Sequence, residues 1–193
     1  FIFSIYQDRQ GTFWISTDVG LNQFDPETGA FESLPLSALV LSTLEDQQGN
    51  FWIGSVIGLF LLDRETGELQ TYLNDPSDPN SLSSSGVSIL REDVQGHLWI
   101  GTMNGGLNRF DRQAEKFDRY QNDPEDAHSL SDNAVSSIYP TATGKLWIGT
   151  LGGLNHFDPQ TGQFQTFREA DGLPNDTIYG ILEDGQGNLW LST

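Results

Sequence analysis

Cysteine is missing from the chain altogether, although the chain is 193 residues long. Without thiol groups the protein has no disulfide bond, no zinc–thiolate centre and no cysteine nucleophile. A chain without cysteine suits a bacterial protein that lies outside the cytoplasm.

Basic residues are scarce. The chain has nine lysines and arginines against 27 aspartates and glutamates, which gives a net charge of −18 at pH 7. Binding to a nucleic-acid backbone or to an anionic membrane requires clustered positive charge, so we predict neither as a partner. We interpret the acidic residues as soluble turn and loop positions. The alternative is an acidic pocket for a cation or an amine.

A long apolar run is also lacking. No stretch of 18 apolar residues occurs, and a membrane-spanning helix needs about 20. We therefore predict no membrane contact within this segment. The sequence starts at Phe1, inside a predicted strand, and leaves open whether a signal peptide is encoded upstream.

Instead of such runs, one short sequence recurs through the chain. Its fullest form is GHLWIGTMNGGLNRFD at residues 96–111, and variants occupy residues 11–25, 49–63 and 144–158, with a shorter fifth copy at 187–193. A tryptophan marks the same place in every copy: Trp14, Trp52, Trp99, Trp147 and Trp190. Their mean spacing is 44 residues, and a period of roughly 40–50 residues is typical of the four-stranded blade of a β-propeller. We predict that these tryptophans are structural core residues between blades.

Each repeat predicts four antiparallel strands. The runs around Trp-Ile and Gly-Leu are too short for helices and are bounded by glycine, as buried strands are. An Asp-x-x-Gly turn precedes the tryptophan strand, and an Asp-Pro-x-Thr-Gly turn precedes the fourth strand. Leu98 and Trp99 point to opposite faces of one strand, so neighbouring blades must cover both faces. We expect the glycine two residues after the tryptophan to admit a large ring from the neighbouring blade, at Gly54, Gly101 and Gly149.

The predicted fold is therefore an all-β propeller domain over residues 1–193, with four complete antiparallel blades and half of a fifth. The blades cover about residues 1–34, 38–72, 86–120 and 134–167, and the half-blade covers residues 176–193. Blade one already has four strands, so the half-blade does not complete it. We predict an open arc from a larger ring, whose exposed faces favour association or poor solubility if this chain is produced alone.

The loops that join blades are the most variable part of the sequence. In an antiparallel meander they share one rim with the turns between strands two and three. The two long loops, at residues 73–86 and 121–134, therefore lie near turns such as residues 103–106. Because function in repeat scaffolds usually resides on such loops, our candidate binding residues are Asp18, Asn104, Asp123 and His128.

No catalytic constellation stands out from the repeats. His97 and His156 occupy variable repeat positions, and no two histidines have metal-ligand spacing. The acidic pair Glu45-Asp46 recurs at the same turn in other repeats, which favours a structural role. The acids of the long loops do not match a known calcium repeat, although calcium is the alternative there. We predict no catalytic residue, no metal and no cofactor.

The pattern Asp-x-x-Gly-x-Leu-Trp-Ile-Gly-Thr-x-x-Gly-Gly-Leu-Asn-x-Phe-Asp resembles the two-component regulator propeller repeat, and the resemblance covers the whole chain. It implies a seven-bladed propeller in the extracytoplasmic (periplasmic) sensor half of a bacterial hybrid sensor histidine kinase. The partners it implies are the remaining blades, the output domains of the parent chain and a small-molecule or oligosaccharide ligand. Repeat residues in that family are structural, so no catalytic residue is carried over, and the kinase itself is inferred by association.

Three functions stay open at this point. The first is a ligand-sensing, non-catalytic propeller segment of a bacterial signal-transduction protein, in which a ligand on the loop rim shifts the packing of the blades. The second is a scaffold that binds a protein partner. The third is an enzyme similar to the streptogramin lyases, which would need a histidine paired with a carboxylate in the central channel.

Overall fold

The computed structural model describes residues 1–193, and β-strands dominate it. Blade one contains β1 (Ile2–Gln7), β2 (Phe13–Thr17), β3 (Gly20–Phe24) and β4 (Phe31–Ser33). Blade two contains β5 (Val40–Glu45), β6 (Phe51–Ser55), β7 (Gly58–Leu62) and β8 (Leu69–Tyr72). Blade three contains β9 (Val87–Glu92), β10 (Leu98–Thr102), β11 (Leu107–Asp111) and β12 (Lys116–Tyr120). Blade four contains β13 (Val135–Pro140), β14 (Leu146–Thr150), β15 (Gly153–Asp158) and β16 (Gln163–Phe167).

A short 3-10 turn (Glu169–Asp171) and two strands follow, β17 (Gly180–Glu183) and β18 (Leu189–Ser192). The strands of every complete blade pair in sequence order as an antiparallel meander, and β17 pairs with β18 in the same way. The first strands β5, β9 and β13 lie beside one another, so they line the inside of the stack. No helix in the structure is both long enough and apolar enough to cross a membrane.

Three hydrophobic clusters form the core, and each lies between two blades. The tryptophan of one blade packs against an aromatic ring of the next blade. The ring centroids of Trp14 and Phe51 lie 4.5 Å apart, and those of Trp99 and Phe157 lie 5.7 Å apart. Leu98 and Trp99 are both fully buried, because the sheet of blade three is covered on both faces. The all-β propeller predicted from the sequence is confirmed.

The two end faces of the stack are exposed. On blade one, Ile2 and Ile5 are each 64% exposed, and on the last sheet Leu182 and Trp190 are 65% and 64% exposed. Trp147 is only partly buried, because two strands instead of four follow its blade. The tryptophan is therefore buried where a complete blade follows it, and the stack is an open arc as the sequence predicts.

The glycine after the tryptophan receives the neighbouring blade, but it does not receive an aromatic ring. A Cβ atom on Gly101 would lie 2.6 Å from Cγ1 of Val135, and one on Gly54 would lie 2.6 Å from Cγ1 of Val87. Each valine begins the inner strand of the next blade. The prediction of an aromatic ring beside this glycine is wrong. At the inner strands the blades approach so closely that only a β-branched side chain fits against the glycine, and the aromatic rings fill the junction further from these strands.

Gly101→Ala is expected to destabilise the protein by about 1–3 kcal/mol, because overpacking a tight junction forces the neighbours to move. The added methyl group would lie 2.5 Å from Cγ2 of Ile89 as well as against Val135. Gly185→Ala is the matched control, since a Cβ atom there meets nothing within 4 Å. Urea denaturation compares the two variants. Equal free energies of unfolding would contradict the close packing at Gly101.

Candidate functional site

The connections between strands lie on two opposite rims of the stack. The loop rim consists of the blade-joining loops, among them residues 73–86 and 121–134, and of the turns between strands two and three. The turn rim consists of the Asp-x-x-Gly turns and the turns between strands three and four. Contacts confirm the shared loop rim: the Ser84 hydroxyl donates to Oδ1 of Asn104 at 2.5 Å, and Nε2 of Gln121 donates to the Gly105 carbonyl at 3.2 Å.

The long loops are held by their own side chains and are anchored in the core. Nδ2 of Asn74 donates to the Leu82 carbonyl at 2.8 Å, and Nδ2 of Asn122 donates to the Leu130 carbonyl at 2.7 Å. Leu82 and Leu130 are fully buried between blades. The loop acids each accept a backbone N–H from two residues further on, as in Asx turns. They are Asp75, Asp78, Asp123 and Asp126.

The four residues predicted to bind a ligand are all exposed, but no hydrogen bond joins any two of them. Asp18 lies in a turn of blade one, whereas Asn104 lies in a turn of blade three and Asp123 lies in the loop that follows that blade. His128 lies beside the outer strand β16, where its carbonyl accepts the Phe164 N–H at 2.9 Å. The candidates are spread along the loop rim, and their role in binding stays a prediction.

The loop rim also exposes apolar side chains that the sequence analysis missed. The turn between strands two and three of every complete blade carries one such residue. The exposed fractions are 74% for Val19, 48% for Ile57, 50% for Met103 and 50% for Leu151. In the turns of the opposite rim, the one exposed large apolar residue is Val94. An apolar residue inside a glycine-containing turn was the available sequence signal.

The turn rim is built on an aspartate that is bonded to the tryptophan of its own blade. Oδ2 of Asp93 accepts the Trp99 indole N–H at 2.8 Å, and Oδ1 accepts the backbone N–H groups of Gln95 and His97. The same indole bond joins Asp8 to Trp14, Asp46 to Trp52 and Asp184 to Trp190. Blade four has Thr141 in place of the aspartate, so this bond is absent there. The constant separation of six residues was a signal for the bond that the sequence analysis did not use.

An arginine from the later blade closes two of the three complete junctions on the turn rim. At the second junction, Arg112 contacts Oδ2 of Asp46 across the junction and lies 3.2 Å from Oε1 of Glu92 in its own blade. The first junction has the same arrangement, formed by Arg64, Asp8 and Glu45. These carboxylates are almost completely buried, and the guanidinium supplies the opposite charge that a buried carboxylate needs.

The third junction differs, because Pro159 follows the aspartate where Arg112 does in blade three, and Pro140 takes the place of Glu92. A cavity of about 370 Å³ lies there and is lined by Pro159, whereas the cavity of similar volume at the first junction is lined by Arg64. Its titratable lining residues are Asp93, His97, Arg109, Lys145 and Asp158. Nδ1 of His97 lies 2.9 Å from Oδ2 of Asp93. This histidine–carboxylate pair belongs to a turn on the rim, so it is not the channel pair that the lyase hypothesis requires.

Hydrogen bonding lowers the pKa of two buried aspartates, Asp46 and Asp93. Burial alone would raise the pKa of Asp46 and Asp93, but the bonds from Trp52 and Trp99 and from neighbouring groups outweigh it, and the pKa of each lies below the usual 3.8. Burial raises the pKa of Glu92 above its usual value. Hydrogen bonds also lower the pKa of seven further aspartates: Asp18, Asp25, Asp63, Asp75, Asp111, Asp158 and Asp184.

We expect the free energy of unfolding to decrease as the pH falls below about 4. A carboxyl group with a lower pKa in the folded protein stabilises the fold above its unfolded pKa, and this contribution is lost as the pH falls through the folded pKa. Glu92 acts in the opposite direction, because a raised pKa favours the fold in acid. Its single contribution to stability is outweighed by those of the aspartates with lowered pKa. Urea denaturation at a series of pH values measures the effect. A midpoint that rises on acidification would contradict it.

Four segments of the chain match the family model described as "Two component regulator propeller", at residues 1–19, 81–104, 129–152 and 172–193. Each matched segment contains the first two strands of a blade. The blades concerned are blades one, three and four and the half-blade at the end of the chain. No curated protein sequence matches the chain.

Among solved structures, the chain is similar to an extracellular domain assigned to a hybrid two-component system of B. thetaiotaomicron. The two are 26% identical with a TM-score of 0.84, over 99% of this chain and 27% of that one. Two further structures share the fold alone. They are virginiamycin B lyase from Staphylococcus aureus, at 19% identity and a TM-score of 0.74 over 98% of this chain and 62% of that one, and PorZ from Porphyromonas gingivalis, at 16% and 0.77 over 98% and 30%. Four stretches of the chain thus match the two-component regulator propeller model, and the chain folds as successive blades of a propeller.

Proposed function

We propose that the chain is part of the extracellular sensor propeller of a bacterial two-component signalling protein. The family matches in four repeats support this, as does the 26% identical extracellular domain that aligns with 99% of the chain. The chain spans 27% of that domain, and the partners in this proposal are the remaining blades and the output domains of a parent protein. In this function the segment is a binding module whose ligand is a small molecule or an oligosaccharide.

The distribution of exposed apolar side chains favours the loop rim as the ligand surface. Met103 and Leu151 are each 50% exposed on adjacent blades, and polar groups such as the Asn104 side chain lie in the same turns. Binding sites combine apolar surface with a few polar groups that fix orientation. An oligosaccharide offers C–H faces and hydroxyl groups together, so its chemistry fits this surface.

The test is calorimetric titration of the protein with a panel of neutral oligosaccharides. In the variant Met103→Ser/Leu151→Ser two exposed side chains change, so we expect the fold to persist and binding to be lost. Val94→Ser is the matched control, because Val94 is 57% exposed on the turn rim. Replacing the long loops is unsuitable as a test, since it would remove the buried Leu82 and Leu130 from the core.

Retained binding in the double variant, or equal loss in the Val94→Ser control, would place the ligand elsewhere. If no oligosaccharide in the panel binds, glycan sensing by this segment is wrong, and the scaffold hypothesis takes its place. A binding partner protein that loses affinity for the double variant would support that scaffold role on the same rim.

A further inference from the structure

The aspartates of the three complete junctions are equivalent by position but do not have equivalent partners. Asp8, Asp46 and Asp93 are 5%, 0% and 2% exposed, and each accepts the indole N–H of its own tryptophan. A guanidinium from the next blade contacts the first two. No arginine or lysine contacts Asp93. The carboxylate at the third junction therefore lacks the guanidinium that the other two have.

His97 does not take the place of the missing arginine. It occupies the repeat position of Asn50, whose Nδ2 contacts Oδ2 of Asp46 at 3.0 Å while Arg112 contacts the same oxygen. An Asn50-type contact and a guanidinium are thus compatible on one carboxylate. At Asp93 the first of these is present and the second is not, and the cavity lies where the arginine would reach.

The other charged groups around the cavity are already paired. Nη2 of Arg109 lies 2.6 Å from Oδ2 of Asp118, and Nζ of Lys145 lies 3.1 Å from Oδ2 of Asp158. The guanidinium of Arg109 lies over the Trp99 ring at 5.9 Å, so it forms a wall of the cavity without reaching Asp93. Asp93 has the His97 ring as a neighbour but no arginine or lysine, and a guanidinium would add the permanent opposite charge that stabilises a buried carboxylate.

Blade four differs from blades two and three at the two positions that supply the buried glutamate and the arginine. Blades two and three have both the glutamate and the arginine, as Glu45 with Arg64 and Glu92 with Arg112. Blade four has neither, and both positions are proline. Blade four therefore has no buried glutamate that needs an arginine, and Pro159 instead of an arginine lines the cavity beside Asp93.

We propose that the cavity between blades three and four binds a small guanidinium-bearing ligand. Its guanidinium would donate to Oδ2 of Asp93 and take the position that Arg112 has against Asp46. The planar fork of a guanidinium matches a carboxylate better than a spherical cation does. This site lies on the turn rim, so it is separate from the loop-rim surface of the proposed function and does not depend on it.

The indole N–H groups of Trp99 and Trp52 provide a direct test by NMR, because the first donates to Asp93 and the second to Asp46. We expect millimolar methylguanidinium chloride to shift the Trp99 indole signal in a saturable way. The Trp52 signal is the internal control, since Arg112 already occupies its carboxylate. Sodium chloride at the same ionic strength controls for general screening of the acidic protein.

The variant Pro140→Glu/Pro159→Arg introduces at this junction the glutamate and the arginine that the second junction has. We expect it to weaken methylguanidinium binding by at least about tenfold, because the new side chain would occupy the site. Absence of a Trp99 shift would overturn the proposal, and so would an equal shift with sodium chloride or an equal shift of Trp52. The comparison of Trp99 with Trp52 in the unaltered protein decides the matter even if the variant fails to fold.

Discussion

Trp99→Ala is expected to lower the free energy of unfolding by about 3–5 kcal/mol, the usual cost of removing a large buried ring. The Trp99 side chain is fully buried, and its ring lies within 6.0 Å of both Tyr120 and Phe157. The substitution would leave a cavity between blades three and four and would remove the indole donor from Asp93. Chemical denaturation measures the loss.

Leu151→Ala is the matched control for this experiment. Leu151 is 50% exposed, so we expect its truncation to change stability by only about 0.5 kcal/mol or less. If Trp99→Ala kept its stability but lost ligand binding, the tryptophan would be a ligand platform and its place in the core would be wrong.

Asp46→Ala is the second substitution with a large expected effect, again about 3–5 kcal/mol, because it removes one partner of a buried ion pair. Oδ2 of Asp46 accepts the Trp52 indole N–H at 2.8 Å and contacts Arg112. Oδ1 accepts the backbone N–H groups of Gln48 and Asn50. The variant would leave a buried arginine without this carboxylate and the Asp-x-x-Gly turn without its acceptor.

Asp46→Thr separates these two losses, because blade four has a threonine at this position. Oγ1 of Thr141 accepts the Lys145 N–H at 3.1 Å and so supports the same turn without a carboxylate. We expect Asp46→Thr to be less stable than the unaltered protein but more stable than Asp46→Ala. Equal urea midpoints for the two variants would show that turn formation contributes nothing measurable at this position.

The repeating part of this fold could be predicted from the sequence because the same contacts recur at a fixed spacing. The spacing of the tryptophans predicted the blades. The antiparallel order of the strands predicted the side of the stack on which the loops lie. The spacing predicted that Gly101 admits a neighbouring blade, but not which of its side chains enters, and Val135 enters where a ring was expected. The aspartate–tryptophan bond was within reach, since its separation of six residues recurs in four repeats.

The part of the site that does not repeat could not be predicted in this way. Arg112 and Asp46 are 66 residues apart in the chain, and such an arginine occurs in only two blades. The low basic content suggested an acidic pocket for a cation as one alternative, but nothing in the sequence placed it at Asp93. The sequence predicted which loops share one rim. It did not distinguish binding residues from structural ones there, because loop acids such as Asp123 also accept hydrogen bonds within their own turns.

Every complete junction runs in the same direction, with the tryptophan on the earlier blade and the inner-strand valine on the later one. A blade is therefore a unit with two unlike, complementary faces, so an added copy would meet a suitable face on either side. An in-frame gene duplication of one period, such as the spacing of 48 residues between Trp99 and Trp147, would lengthen the array without a new interface having to evolve. Blade number can change in one genetic step, and closure of the ring is then the geometric constraint on how many copies persist.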